Sequence, residues 1–91
     1  MLFATKYTLR GERTKERVGA LLATFGERGE LPGTVAHYTA LDGSAGLVII
    51  ESDDPAALYE ATVAYQEWLE LDVTPIMTVE DAMPLLVASL Q

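Results

Sequence analysis

The stretch IIESDDPAALYEATVAYQEW (residues 49–68) decides the fold, because it connects a buried strand to an amphipathic helix. Asp54 stands directly before Pro55, and this pair is typical of a helix N-cap followed by a proline in the first helical position. Apolar side chains then recur at helical spacing. The helix is therefore predicted to include Leu58, Ala61, Thr62, Tyr65, Trp68 and Leu69.

Acidic side chains crowd this junction, where Glu51, Asp53 and Asp54 lie within four residues. Carboxylates are stabilised near a helix N-terminus by the helix dipole. A hard-cation site needs several oxygen ligands and a turn-forming loop around them, and the sequence supplies neither here. We therefore interpret Asp53 and Asp54 as structural, and predict no metal site and no cofactor.

The N-terminal part of the chain predicts a strand followed by a helix. LFATKYTL (residues 2–9) is rich in β-branched and aromatic residues, and Gly11 stops it. Gly26 and Gly29 are predicted to close the helix that follows. Its apolar stripe has the helical spacing i, i+3, i+4 and i+7 and consists of Val18, Leu21, Leu22 and Phe25.

A β-hairpin follows, with predicted strands at residues 34–41 and 47–52. Gly43 and Gly46 belong to the connecting loop, where positive φ angles would account for both. The run Leu47 to Ile50 is continuously apolar. A strand of this kind is covered on both faces, so we place it inside the sheet.

The C-terminal part predicts a last strand at residues 71–78 and a short helix after it. Pro75 lacks a donor for the sheet ladder, which places this strand at an edge or turns that position away from a partner. Thr78 is the predicted cap of the helix, with acidic residues in its first turn. Pro84 is expected to bend or restart this helix.

The order strand, helix, strand, strand, helix, strand, with an additional C-terminal helix, predicts a ferredoxin-like α+β fold for one domain, residues 1–91. In this fold both helices of the repeat cover one face of an antiparallel sheet. The other face is left open, and an apolar open face favours a homodimer of the dimeric α/β barrel type. The candidates for this face are Phe3 or Tyr7, His37 or Tyr38, and Ile49 or Ile50.

Charge and composition exclude several classes of partner. The chain has 14 acidic and 6 basic residues and a net charge of −8, which argues against binding to nucleic acid or to an anionic membrane. It contains neither a signal peptide nor a run of about 20 apolar residues able to cross a bilayer. Cysteine is absent, which fits a reducing compartment. We predict a soluble cytoplasmic protein.

Two functions remain open. One is a module that binds a small apolar or aromatic compound, or its own partner, through the open face. The other is a cofactor-independent monooxygenase, cyclase or isomerase with a pocket on that face. In the enzyme, His37 is the predicted proton-transfer group, with Tyr7 and Glu51 as orienting or hydrogen-bonding groups. Alternatively, His37 and Tyr7 are ordinary packed residues.

Parts of the sequence resemble a known family. The segments MLF, ESDDPAAL and LDVTPIMTVEDA, together with Trp68, are similar to a bacterial family of short proteins of unknown function. That family is grouped with the dimeric α/β barrel proteins, so the resemblance implies the same ferredoxin-like fold and a dimer. The wider group includes cofactor-independent monooxygenases, cyclases, lactone isomerases and binding proteins, and a shared fold does not select among them.

Overall fold

The computed structural model describes residues 1–91 and has the predicted order of elements. The four strands pair antiparallel in the order β2-β3-β1-β4, which confirms the ferredoxin-like α+β fold. In chain order the elements are β1 (Leu2–Leu9), α1 (Lys15–Arg28), β2 (Thr34–Thr39), β3 (Ala45–Glu51), α2 (Pro55–Val63), β4 (Leu69–Ile76) and α3 (Val79–Ser89).

Two strand positions predicted from the sequence are confirmed. The apolar strand β3 lies between β2 and β1, and its Ile50 side chain is fully buried. The strand that contains Pro75 is β4, which pairs only with β1 and therefore forms an edge of the sheet. A proline is tolerated there because the missing N–H leaves no inner ladder bond unmade.

Side-chain caps begin all three helices. The Asp54 carboxylate accepts from the Ala57 N–H at 3.1 Å, and Pro55 is the first residue of α2, as predicted. Thr78 caps α3 in the same way. At the other end of α1, the prediction is only partly right. Gly29, at φ 75°, ends that helix, whereas Gly26 lies inside it. No helix is both long enough and apolar enough to cross a bilayer.

The predicted extent of α2 is wrong. The helix ends at Val63, and turns carry the chain from there to Leu69, the first residue of β4. The apolar period continues past the helix because the turn also places side chains in the core, and Tyr65 is buried. Leu69 instead pairs with Leu9 at the end of β1. Periodicity alone could not separate these two conformations.

The two faces of the sheet follow from the register. Phe3 is opposite Ile50, and His37 is opposite Val48. Val48 and Ile50 pack against Leu58 of α2, so this is the helix-covered face. Because side chains alternate along a strand, the opposite or open face carries Tyr38, Leu47 and Ile49.

The candidates for the open face therefore divide between the two sides. Tyr38 and Ile49 lie on the open face. The other candidates lie on the helix-covered face, and these are His37, Ile50, Phe3 and Tyr7. A shift of one residue exchanges the faces, and the sequence did not fix this choice.

Candidate functional site

A cavity of about 240 Å³ lies between α1 and the helix-covered face of the sheet. Eight of its eleven lining residues are hydrophobic, which gives it mainly apolar walls. The sequence-based hypothesis placed a pocket on the open face, whereas this cavity lies on the other side, because its lining residues of β1, β2 and β3 all point toward the helices. The apolar walls include Leu21, Leu22, Phe25, Val48, Tyr65 and Leu69.

The end of α1 positions one wall of the cavity. The left-handed φ of Gly29 turns the chain out of the helix, and the next residue, Glu30, lines the cavity. The hydroxyl of Tyr65 donates to the Gly29 carbonyl at 3.2 Å. This bond ties the loop between α1 and β2 to the turn that follows α2, so the wall is held from both sides.

Three polar side chains form a continuous hydrogen-bonded chain at the cavity. The Tyr7 hydroxyl lies 2.6 Å from Nε2 of His37. On the other side of the imidazole, Nδ1 lies 3.0 Å from both carboxylate oxygens of Glu30. The Tyr7 ring meets the imidazole edge-on, with centroids 5.6 Å apart. We call this set the Glu30–His37–Tyr7 chain.

The acceptor on one side fixes the tautomer of the imidazole. The ionised carboxylate of Glu30 can only accept, so the Nδ1–H of His37 donates to it. In the neutral ring Nε2 is then left as an acceptor for the Tyr7 O–H. An imidazole oriented by a carboxylate in this way has the arrangement of a general acid–base group.

Burial keeps the phenols of the cavity protonated. The pKa of Tyr7 is raised from its ordinary value, first by burial and then by the negative charge of Glu30. The pKa of Tyr65 is also raised, mainly by burial. At neutral pH both hydroxyls therefore act as hydrogen-bond donors, which matches their contacts with Nε2 of His37 and the Gly29 carbonyl.

Gly46 on β3 makes room for the ring of Tyr7. A Cβ added at Gly46 would lie 2.1 Å from Cζ and from the hydroxyl oxygen of Tyr7. A positive φ of 73° explains why position 43 is a glycine. It does not explain Gly46, which has no positive φ and lies within strand β3. The prediction that both were turn glycines is therefore wrong for Gly46, whose role is to let the ring lie against the strand.

The structure brings together two of the three predicted site residues. Tyr7 and His37 both line the cavity. Glu51 does not, because it pairs with Leu2 at the far end of β1, five positions from Tyr7. Its carboxylate forms an ion pair with the N-terminal amine of Met1. The structure therefore does not bring Glu51 to this cavity, and Glu51 belongs to the contacts that hold the N-terminus.

The residue that sequence reasoning missed is Glu30. It occupies the orienting position beside His37 that had been assigned to Glu51. Only its place directly after a helix-closing glycine could have drawn attention to it, since its contact depends on how the loop folds. Across the chain, no three His, Cys, Asp or Glu side chains are grouped so that they could hold a metal ion.

Comparison with known proteins assigns a family but no activity. The family model described as "Domain of unknown function (DUF3303)" matches residues 1–90. The search of curated proteins found no match.

Proposed function

This chain belongs to the DUF3303 family of unknown function, and we propose that it binds a small, neutral, largely apolar compound in the cavity beneath α1. The observation that carries the proposal is the Glu30–His37–Tyr7 chain at a cavity whose other walls are mainly apolar. An apolar pocket with a few convergent polar groups is the usual form of a small-molecule site.

The size of the cavity limits the ligand. Pockets for drug-sized ligands have volumes of roughly 300–1,000 Å³, and this cavity holds about 240 Å³. A compound of one or two rings is therefore the appropriate size. Phe25 and the leucines of α1 provide flat apolar contacts for such rings.

The charge of the lining favours a neutral ligand. Glu30 is the only acidic residue that lines the cavity, and neither lysine nor arginine lines it. A carboxylate or phosphate group would therefore meet a negative charge without a balancing cation. A phenolic hydroxyl fits better, because it can insert between the two side chains. It then donates to Nε2 of His37 and accepts from the Tyr7 O–H, which replaces the direct Tyr7–His37 hydrogen bond of the free protein.

We predict that 2-naphthol, a neutral two-ring phenol, binds in this cavity. Calorimetric titration of the wild-type protein should show saturable binding with one ligand per chain. Tyr7→Phe and His37→Gln should each weaken binding about tenfold, because each removes one hydrogen bond worth roughly 1–1.5 kcal/mol. Tyr59→Phe is the matched control, since this phenol is exposed on α2 and does not line the cavity. Equal affinities for all four proteins would contradict the proposal.

A second candidate function is proton transfer on a bound substrate, as in a cofactor-independent isomerase, cyclase or monooxygenase. It is favoured by the orientation of His37, whose Nδ1 contacts Glu30 and whose Nε2 faces the pocket hydroxyl of Tyr7. With a cyclic ketone bound, the Tyr7 O–H turns from Nε2 to the carbonyl oxygen, and the freed Nε2 takes a proton from the carbon beside the carbonyl. The electron pair moves onto the carbonyl oxygen, which accepts a hydrogen bond from Tyr7.

This reaction is tested with 2-tetralone in D₂O, followed by NMR. Wild-type protein should exchange the hydrogens beside the carbonyl about 100-fold faster than buffer alone, since general-base catalysis contributes at least this much. His37→Gln should fall to the buffer rate, and Tyr59→Phe should match the wild type. Exchange that is equally fast with His37→Gln would exclude His37 as the base.

We also propose that the chain acts as a single domain and forms a homodimer through the open face. The support is that Tyr38 is exposed there and that Leu47 and Ile49 are only partly covered. The absence of cysteine supports a cytoplasmic location, and the net charge of −8 argues against a nucleic-acid partner.

A further inference from the structure

The C-terminal arm, residues 79–91, has almost no cover from the rest of the chain. None of the residues of α3 is buried. Four apolar side chains at spacings of four, three and four residues form a stripe along it, and their exposed fractions range from 46% to 81%. They are Val79, Met83, Leu86 and Leu90. A stripe of this kind is normally the buried side of a helix.

The arm is too short and too irregular to be a stable helix by itself. Isolated helices of fewer than about 12–15 residues are marginal in water, and α3 has 11 residues. Pro84 lies inside it and removes the hydrogen bond that would reach the Glu80 carbonyl, which costs about 3 kcal/mol in a helix interior. Its helical conformation therefore requires contacts that its own domain does not supply.

The surface area of the chain supports the same conclusion. The chain exposes 6526 Å², whereas a compact monomer of its size exposes about 5,200 Å² by the usual scaling. The excess of about 1,300 Å² exceeds the roughly 800 Å² that each partner buries in a standard interface. The radius of gyration is 15.7 Å, against about 12 Å for a compact chain of this length.

The uncharged character of residues 82–91, most of the arm, points to a second copy of this chain as the surface that covers it. After Asp81 the arm contains no charged residue, so it fits an apolar and uncharged surface. The open face supplies one on β2 and β3, with Ala36, Tyr38, Leu47 and Ile49. In a two-fold symmetric dimer, the arm of each copy would cover the open face of the other, so both arms and both faces would be buried. A monomer could bury its arm only by folding it back on its own sheet.

We propose that α3 is an exchange arm, which packs its apolar stripe on the β2–β3 half of the open face of a second copy. The inference rests on the proposed homodimer and adds the element that holds it together. The acidic residues Glu70 and Asp72 lie at open-face positions of β4, outside the area that the arm covers.

The first test compares the oligomeric state of full-length variants by sedimentation equilibrium. Wild-type protein should be a dimer, and Leu86→Glu should raise the dimer dissociation constant at least 100-fold. Leu90→Glu should act in the same direction. Leu90 is the exposed C-cap residue of α3, so this variant removes no buried contact of the sheet. Leu41→Glu is the matched control, because Leu41 is a fully exposed leucine that belongs neither to the arm nor to the four strand residues of the proposed contact.

The outcomes separate the arm from the dimer. Dissociation by both arm variants but not by Leu41→Glu supports the proposal. A wild-type dimer whose dissociation constant is unchanged by the arm variants contradicts the exchange arm, while Ile49→Glu then tests the open-face dimer separately. A wild-type monomer contradicts both, and a radius of gyration near 12 Å in X-ray scattering would show that the arm folds back on its own sheet.

A second test identifies the surface that the arm contacts. The chain has no cysteine, so Leu90→Cys carries a single benzophenone label, and this protein is mixed with unlabelled wild-type protein enriched in ¹⁵N. After irradiation, crosslinks to ¹⁵N peptides from residues 34–51 are expected. Crosslinks confined to peptides of the labelled protein, which is not enriched in ¹⁵N, would contradict the assignment. Crosslinks to ¹⁵N peptides of α1 would also contradict it.

Discussion

Gly33→Ala is expected to lower the free energy of unfolding by about 3–5 kcal/mol, a large part of the total stability of a domain of this size. Gly33 has φ 83° in the turn before β2, a conformation that costs an L-residue roughly 1–2 kcal/mol. The added Cβ would also lie 2.1 Å from the carbonyl oxygen of Glu51. That oxygen belongs to the backbone of β3, and the Glu51 N–H already donates to the Gly33 carbonyl at 2.9 Å, so neither strand can move away freely.

Gly29→Ala provides the control for this effect. Gly29 has nearly the same φ, 75°, but a Cβ there would meet nothing within 4 Å. We therefore expect a smaller loss of about 1–3 kcal/mol, the cost of the backbone conformation alone at φ 75° and ψ −162°. Urea unfolding of both variants measures the difference. Equal losses would mean that the close approach between Gly33 and Glu51 does not constrain the fold.

Gly46→Ala is expected to have the largest effect on ligand binding while lowering stability by only about 1–2 kcal/mol. The new methyl group would occupy the place of the Tyr7 ring, and a side chain can turn away where a backbone cannot. In turning, Tyr7 loses its contact with Nε2 of His37 and shifts one wall of the cavity. We expect 2-naphthol affinity to fall between 10- and 100-fold.

A double-mutant cycle separates this effect from a general loss of structure. In the Tyr7→Ala background the ring is absent, so Gly46→Ala should cost little further stability or affinity. Urea unfolding and calorimetry on the four proteins give both coupling energies. If Gly46→Ala weakens binding equally with and without the Tyr7 ring, the contact between these two residues does not position the site.

The sequence was sufficient for the features that depend on local chemistry. Asp54 and Thr78 were identified as caps because a side-chain acceptor before a helix has a specific backbone partner. Pro75 marked an edge strand because it lacks a donor. The apolar run at β3 required cover on both faces, and the strand lies inside the sheet.

The site depended on features that local patterns do not contain. The face occupied by Tyr7 and His37 is set by strand register, and a shift of one residue reverses it. Glu30 reaches His37 only through the conformation of the loop after Gly29. Glu51 is close in sequence to the apolar strand but is separated from Tyr7 by the antiparallel pairing. Each error about the site therefore concerned a long-range arrangement.

The separation of the two faces makes the proposed ligand binding compatible with the proposed dimer. The cavity lies on the helix-covered face, so a contact between copies through the open face would leave the Glu30–His37–Tyr7 chain in place. Substitutions on the arm should accordingly change the dimer dissociation constant without directly removing a ligand contact. Substitutions at Tyr7 or Gly46 should instead weaken ligand binding and leave the dimer dissociation constant unchanged.

The most direct test of the proposed site is the ¹⁵N NMR signal of the imidazole, which is unambiguous because His37 is the only histidine. In the neutral ring we predict that Nδ1 carries the proton and that Nε2 is an acceptor. Addition of 2-naphthol should shift the Nε2 signal saturably. A proton on Nε2 in the free protein, or an Nε2 signal that does not move with excess 2-naphthol, would contradict the account.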